Sequence, residues 1–194
     1  MNYQEQGTTN SVWTLTLKQF ADKTDKAKPE ITGGCVLFAS SGLAIALVLM
    51  SLKISQAKTS NIQLKQSFDE KINELEDLRA QLARAADYDL EVFNSYRSLL
   101  KNNEPDEKEL KLALKDATGS PLAICKLIRI SISTASDCLL HCDKKVISDL
   151  KAGILLLQAC FNGSLLLVEE NLELLAPEDR EFYQQWKEEE KNAL

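Results

Sequence analysis

Apolar and polar positions divide this chain into long blocks. The most extreme block runs from Ile31 to Leu52, twenty-two residues without a charge. A helix of that length spans an apolar layer of roughly 30 Å. Such a segment either crosses a bilayer or is buried within its own protein. Lys26 and Lys28 precede it and Lys53 and Lys58 follow it, so charge asymmetry assigns it no membrane orientation. Thr32, Gly33, Gly34, Ser40, Ser41 and Gly42 are small or polar and let a second backbone approach closely. The reading adopted is a buried helix from about Cys35 to Lys58, with a membrane span as the alternative.

Elsewhere the apolar positions recur at three- and four-residue steps, the period of a helix with one buried face. A first helix is expected from Ser11, burying Trp13, Leu17, Phe20 and Ala21, with Lys23 to Glu30 as a linker. From Ser60 to Lys101 the series Phe68, Ile72, Leu75, Leu78 and Leu82 resumes at Phe93, Tyr96 and Leu100. That stretch exceeds an ordinary globular helix, so a break near Ala85 to Asp89 is expected, and a second at Asn102 to Pro105. Asp106 caps a short helix that Gly119 ends, and Ser120-Pro121 opens the next, running towards Leu140. Ser148 caps a further helix to about Leu175, and a charged helix after Pro177 presents Phe182, Tyr183 and Trp186. No stretch alternates with the period of a strand between turn residues. The fold class is therefore all-α, a multi-helix bundle: residues 1–10 form a flexible N-terminus and 11–194 a single helical domain. Segments 35–52, 122–140 and 150–168 are apolar on more than one face, which requires burial on several sides. A homodimer answers this economically; three thick stripes in one monomeric core are the alternative.

A length of 194 residues, with 44% hydrophobic and 27% charged residues, fits one globular domain. The net charge of -6 lacks the basic face that nucleic acid requires. The N-terminus has no basic-then-apolar secretory order, so the five cysteines read as reduced cytoplasmic thiols. Cys138, His141 and Cys142 cluster in CLLHC, but a structural zinc site wants four ligands and no second pair follows; no metal is expected. His141 reads as a partly buried structural histidine.

The order of several segments resembles the cyclodeaminase/cyclohydrolase family of folate enzymes. Leu17-Lys18-Gln19-Phe20-Ala21 is similar to that family's opening helix, Gly33-Gly34-Cys35-Val36 to its glycine-rich turn, and Met50 to Lys58 to the segment that follows. Leu78-Arg79, Asp89 to Phe93, Ala117 to Leu122, Ser148-Asp149-Leu150 and Gly163 to Leu172 continue the match in order. Departures are specific. The family's Pro-Gly-Gly-Gly-Ser turn reads Ile31-Thr32-Gly33-Gly34-Cys35, the asparagines before the Ser-Asp pair are absent, and Asn-Val-x-x-Asn keeps only Asn171.

The resemblance implies a tetrahydrofolate derivative as substrate, no separate cofactor, and hydrolysis or ring closure at a one-carbon group bridging two nitrogens. Such chemistry passes through a tetrahedral carbon and wants a carboxylate to move protons or face a cationic amidinium. The candidate acid/base pair is Asp149 with Ser148 at a helix start, where the dipole favours an ionised carboxylate; an ordinary capping pair explains the same residues. Candidate substrate contacts are Gly33, Gly34 and Cys35 through backbone N–H groups, Lys58 for the anionic tail, and Asp89. Asp89 also reads as an ion-pair partner of Arg79. The expectation is a cytoplasmic methenyltetrahydrofolate cyclohydrolase or formiminotetrahydrofolate cyclodeaminase, binding a reduced folate, with neither nucleic acid nor membrane as partner. The alternative is a non-catalytic dimer of the same shape, acting as a binding or structural protein.

Overall fold

A computed structural model describes residues 11–100 and 106–194. The expected N-terminal loose stretch and the expected break at Asn102 to Pro105 lie outside the described residues. Those described form six helices: α1 (Leu17–Thr24), α2 (Gly33–Lys58), α3 (Ile62–Leu100), α4 (Glu107–Ser136), α5 (Ile147–Leu172) and α6 (Pro177–Asn192). A single 3-10 turn, Val12–Thr14, precedes them, and no strand is present among the described residues.

Helices α2 to α5 form a four-sided bundle in which each packs on its two neighbours. The cross-links run antiparallel. Lys53 meets Glu76 at 2.5 Å between α2 and α3, and Thr134 donates to Glu74 at 3.1 Å between α4 and α3. Leu37 packs on Gly163 between α2 and α5. One end of the bundle therefore holds the starts of α2 and α4 with the final turns of α3 and α5. A smaller core of Leu122, Val168, Leu172 and Leu175 seats Tyr183 and Trp186 of α6 against α4 and α5.

Two helices, Gly33–Lys58 and Ile147–Leu172, are long and apolar enough to cross a membrane. Most of α2 is covered by its neighbours, including Phe38, Ile45, Val48 and Leu52 at 0% exposure. Its buried hydroxyls carry no desolvation penalty, because each donates back to its own helix: Ser41 to the Leu37 carbonyl at 2.8 Å, Ser51 to Leu47 at 3.1 Å, Ser55 to Ser51 at 2.7 Å.

Several expected boundaries change. α3 runs unbroken through Ala85 to Asp89. α4 likewise runs through Gly119 with Pro121 inside it, because packing on both sides outweighs a local breaker. Asp106 does cap α4, but α5 starts from Val146 without a side-chain cap, so Ser148 is no cap. The first helix is shorter than expected. Val12 is the buried anchor, while Trp13 is 42% and Leu17 80% exposed. Trp13 instead donates its indole N–H to the Ala83 carbonyl at 3.0 Å, and Asp87 accepts from Ser11 and the Val12 N–H, which ties the N-terminal turn to α3.

At Gly153, α5 approaches α2 so closely that a Cβ would stand 2.7 Å from a Val48 methyl and 3.1 Å from the Ala44 carbonyl. Gly153→Ala gains about 1 kcal/mol of helix propensity but overpacks against a backbone atom that cannot swing aside, at about 1–3 kcal/mol. The expected outcome is a net loss of about 1 kcal/mol, read as a lower urea midpoint with an unchanged slope.

Candidate functional site

The end of the bundle where α2 and α4 begin holds a cavity of about 220 Å³. Thr32, Gly33 and Gly34 form one wall and Asp89, Val92, Phe93 and Tyr96 of α3 a second. Leu114, Ala117 and Pro121 of α4 with Leu167, Glu170 and Asn171 of α5 form the rest, so the cavity wall holds a second carboxylate, Glu170, besides Asp89. Apolar and aromatic walls with a few converging polar groups are what a small-molecule site requires.

Its polar centre begins with the start of α2. Thr32 is the N-cap, its Oγ1 accepting from the Cys35 N–H at 3.0 Å. The same hydroxyl donates to Asp89 Oδ2 at 2.5 Å. Asp89 can come this near because position 34 has no side chain: a Cβ there would lie 2.7 Å from both carboxylate oxygens. Burial pushes the Asp89 carboxyl above the usual carboxylate range, and the Thr32 hydroxyl and Cys35 N–H pull it part of the way back. Cys35 turns its thiol into the core at 0% exposure. Burial, with Asp89 and Asp87 nearby, pushes that thiol up to about 12, so it stays protonated and unreactive.

The opposite wall contains a proline inside a helix. Pro121 has no N–H to give the Ala117 carbonyl one turn back. That carbonyl accepts instead from Asn171 Nδ2 of α5 at 2.9 Å.

Of the residues singled out from sequence, Gly33, Gly34 and Asp89 come together here, with Cys35 contributing its backbone only. Ser148, Asp149 and Lys58 do not join them. Asp149 lies 22 residues before Asn171 on α5, about 33 Å at a helical rise of 1.5 Å per residue. Lys58 closes the far end of α2, paired with Asp143 at 2.8 Å. Arg79 is exposed and ten residues from Asp89 on one helix, about 15 Å away, so the two form no pair. His141 is exposed rather than partly buried, and among the described residues no group of three His, Cys, Asp or Glu is placed to hold a metal ion. Thr32, Pro121 and Tyr96 emerge as site residues only from the structure. The preference of threonine for N-caps was the one local signal available, at Thr32.

Comparison with known proteins bears on this geometry. The sequence profile of the formiminotransferase-cyclodeaminase family matches residues 16–192. A methenyltetrahydrofolate cyclohydrolase from Methylorubrum extorquens is 28% identical over 174 residues, covering 86% of this chain and 83% of that protein. The crystal structure of a formiminotetrahydrofolate cyclodeaminase from Thermotoga maritima superposes with a TM-score of 0.86 at 24% identity, covering 94% of this chain and 91% of that one; at that identity it shows a shared fold.

The raised Asp89 carboxyl gives stability a definite pH sign. The native state binds its proton more tightly than the unfolded chain does, so stability contributed by the neutral acid is complete below about pH 4 and is lost as pH rises through the raised native value. Asp89→Asn keeps an acceptor for Thr32 without the charge. Urea unfolding is expected to show the variant gaining on the native protein as pH climbs from 4 to 7; a constant difference across that range would contradict the assignment.

Proposed function

The chain belongs to the formiminotransferase-cyclodeaminase family, and from that premise we propose that its end cavity binds a one-carbon tetrahydrofolate and opens or closes the ring at the bridging carbon. The observation that carries this reading is a half-buried carboxylate, Asp89, held by Thr32 at the wall of an aromatic-lined cavity. The flat pterin suits Phe93 and Tyr96 as stacking partners. The Asp89 carboxylate faces the amidinium carbon, whose positive charge it favours, and accepts a proton from the attacking water as the tetrahedral carbon forms. Expulsion of one nitrogen then needs a proton, which the protonated Asp89 supplies, and the regenerated carboxylate takes the proton of the new hydroxyl as the formyl C=O forms. In cyclodeamination the same group serves the departing ammonia. Between the two activities, the proposal favours methenyltetrahydrofolate hydrolysis, supported by the Methylorubrum relative's similarity over most of both chains.

The anionic tail has a separate recipient. On the adjoining face of α3 lies a hollow of about 490 Å³ with Lys28 and Arg97 in its wall. The Arg97 guanidinium sits 5.4 Å from the centroid of the Phe93 ring, so a tail leaving the cavity past Phe93 meets a cation. The five free, buried cysteines support a reducing cytoplasmic setting.

Purified protein is expected to accelerate loss of the methenyl chromophore. Asp89→Asn should lower kcat by about 10²–10⁴-fold, the usual contribution of a general acid/base, and Gly34→Ala should act similarly by evicting the carboxylate. Undiminished turnover in Asp89→Asn overturns the role of this carboxylate. A protein that binds reduced folate without turning it over or closing the formimino ring is a binding module instead.

We also propose a homodimer, supported by the outward faces of α2 and α5. These helices pack side by side and expose Leu43 at 55%, Met50 at 41%, Leu155 at 65%, Leu156 at 50% and Leu166 at 65%. An apolar face of this kind on a small bundle is covered economically by a second copy about a two-fold axis. Light scattering after gel filtration is expected to give twice the 21.7 kDa chain mass, shifting to the monomer in Leu155→Glu; a monomeric native protein overturns the proposal.

A further inference from the structure

Asn171 does more in this arrangement than fill a wall. Inside a helix, each carbonyl normally accepts from the N–H four residues on, and at Ala117 that partner is Pro121, which has none. The carbonyl is the acceptor in the bond to Asn171, so the group reaching it at 2.9 Å must be the amide nitrogen. The amide of Asn171 thereby loses its freedom to flip. Among the described residues its Oδ1 has no protein donor, and it is not a buried orphan either: the one buried side-chain oxygen without a partner is on Asp179. Asn171 is a wall residue of the cavity and partly exposed.

We propose that Pro121 and Asn171 act as a unit that reads an N–H donor on the ligand: the proline releases the Ala117 carbonyl, the carbonyl fixes the asparagine, and Asn171 Oδ1 accepts from the ligand. Pro121 is a positioning residue acting through Asn171, which itself touches the ligand. The required ligand chemistry is a flat heterocycle or amidine with an N–H at its edge. This deepens the folate reading and rests on it, since a reduced pterin carries such N–H groups. An asparagine amide left free to rotate offers donor and acceptor alike; one held by its nitrogen discriminates, because a ligand presenting a lone pair at that edge meets a second lone pair.

The unit is tested with Pro121→Ala, Asn171→Leu and the double variant. Alanine at 121 restores an N–H that competes for the Ala117 carbonyl. Each single change is expected to raise KM for methenyltetrahydrofolate by about tenfold, the upper range for one neutral hydrogen bond, with kcat falling less than threefold. The double variant should be no worse than Asn171→Leu alone, because both remove the same contact. A merely structural tie predicts otherwise: Pro121→Ala would leave KM unchanged, and that result overturns the proposal, as do additive losses in the double variant. A second measurement needs no folate. The Asn171 side-chain amide protons, followed by NMR, should be protected from exchange in the native protein and lose protection in Pro121→Ala; insensitivity overturns the anchor. If the native protein neither binds nor turns over a reduced folate while the amide responds as expected, the folate reading fails and the anchor stands.

Discussion

The Asp89 carboxylate occupies space that any side chain at position 34 would fill. That single exclusion organises the end of the bundle. It brings α3 against the first turn of α2, where the helix dipole and unpaired N–H groups favour an anion. It also makes Thr32 the pivot, since one hydroxyl caps α2 through the Cys35 N–H and donates to Asp89. Two opposing effects act on the carboxylate. Loss of water disfavours its charge, and the capping groups restore part of it, with burial the stronger. A carboxyl so poised can both hold and release a proton, which is the property that acid/base work on a folate one-carbon group needs.

Across the cavity, a second missing group has a comparable effect. Pro121 interrupts the ladder of α4 without ending the helix, because Leu122, Ile124, Cys125 and Ile128 of the same helix are almost wholly buried. The freed carbonyl recruits Asn171 from α5. Both walls thus take their polar geometry from atoms that are absent, a Cβ at Gly34 and an N–H at Pro121, and both join neighbouring helices at the same end. The far end of the bundle is closed differently, by ordinary surface pairs such as Lys58 with Asp143 and Lys71 with Asp137. Pairs of that exposed kind contribute little individually.

Helix existence was legible because apolar spacing reports burial directly. Phe68 to Leu82 form the buried stripe of α3, and Asp106 caps α4 as its residue type indicates. What spacing does not report is how two helices meet. Gly119 and Pro121 read locally as an end and a start, yet contacts on α5 and α6 hold the helix through them. Ser148-Asp149 has the residue types of a cap, but the chain enters α5 from Val146 and no cap bond forms. For the site, sequence supplied Gly33, Gly34 and Asp89 but not their contact, since fifty-five residues separate Gly34 from Asp89 and only the antiparallel return of α3 closes the gap.

The altered glycine turn acquires a physical meaning in this setting. Where the folate family carries glycine and serine, this chain has Thr32 and Cys35. Threonine at the first position is not a lost turn residue; it keeps a cap of similar quality to glycine, satisfies the Cys35 N–H with its side chain, and adds a donor to Asp89 that glycine lacks. Cysteine at the second position removes a hydroxyl from the start of α2, and with its thiol held near 12 and packed in the core it replaces that hydroxyl with a small hydrophobe. The net change removes a hydroxyl from the third residue of α2 and places one at its cap, where it donates to the Asp89 carboxylate. The uncharged run that begins here therefore keeps its polar function in its first turn and confines its apolar character to the rest of α2, where the buried hydroxyls of Ser41, Ser51 and Ser55 are satisfied within the helix and the remaining surface is free to pack.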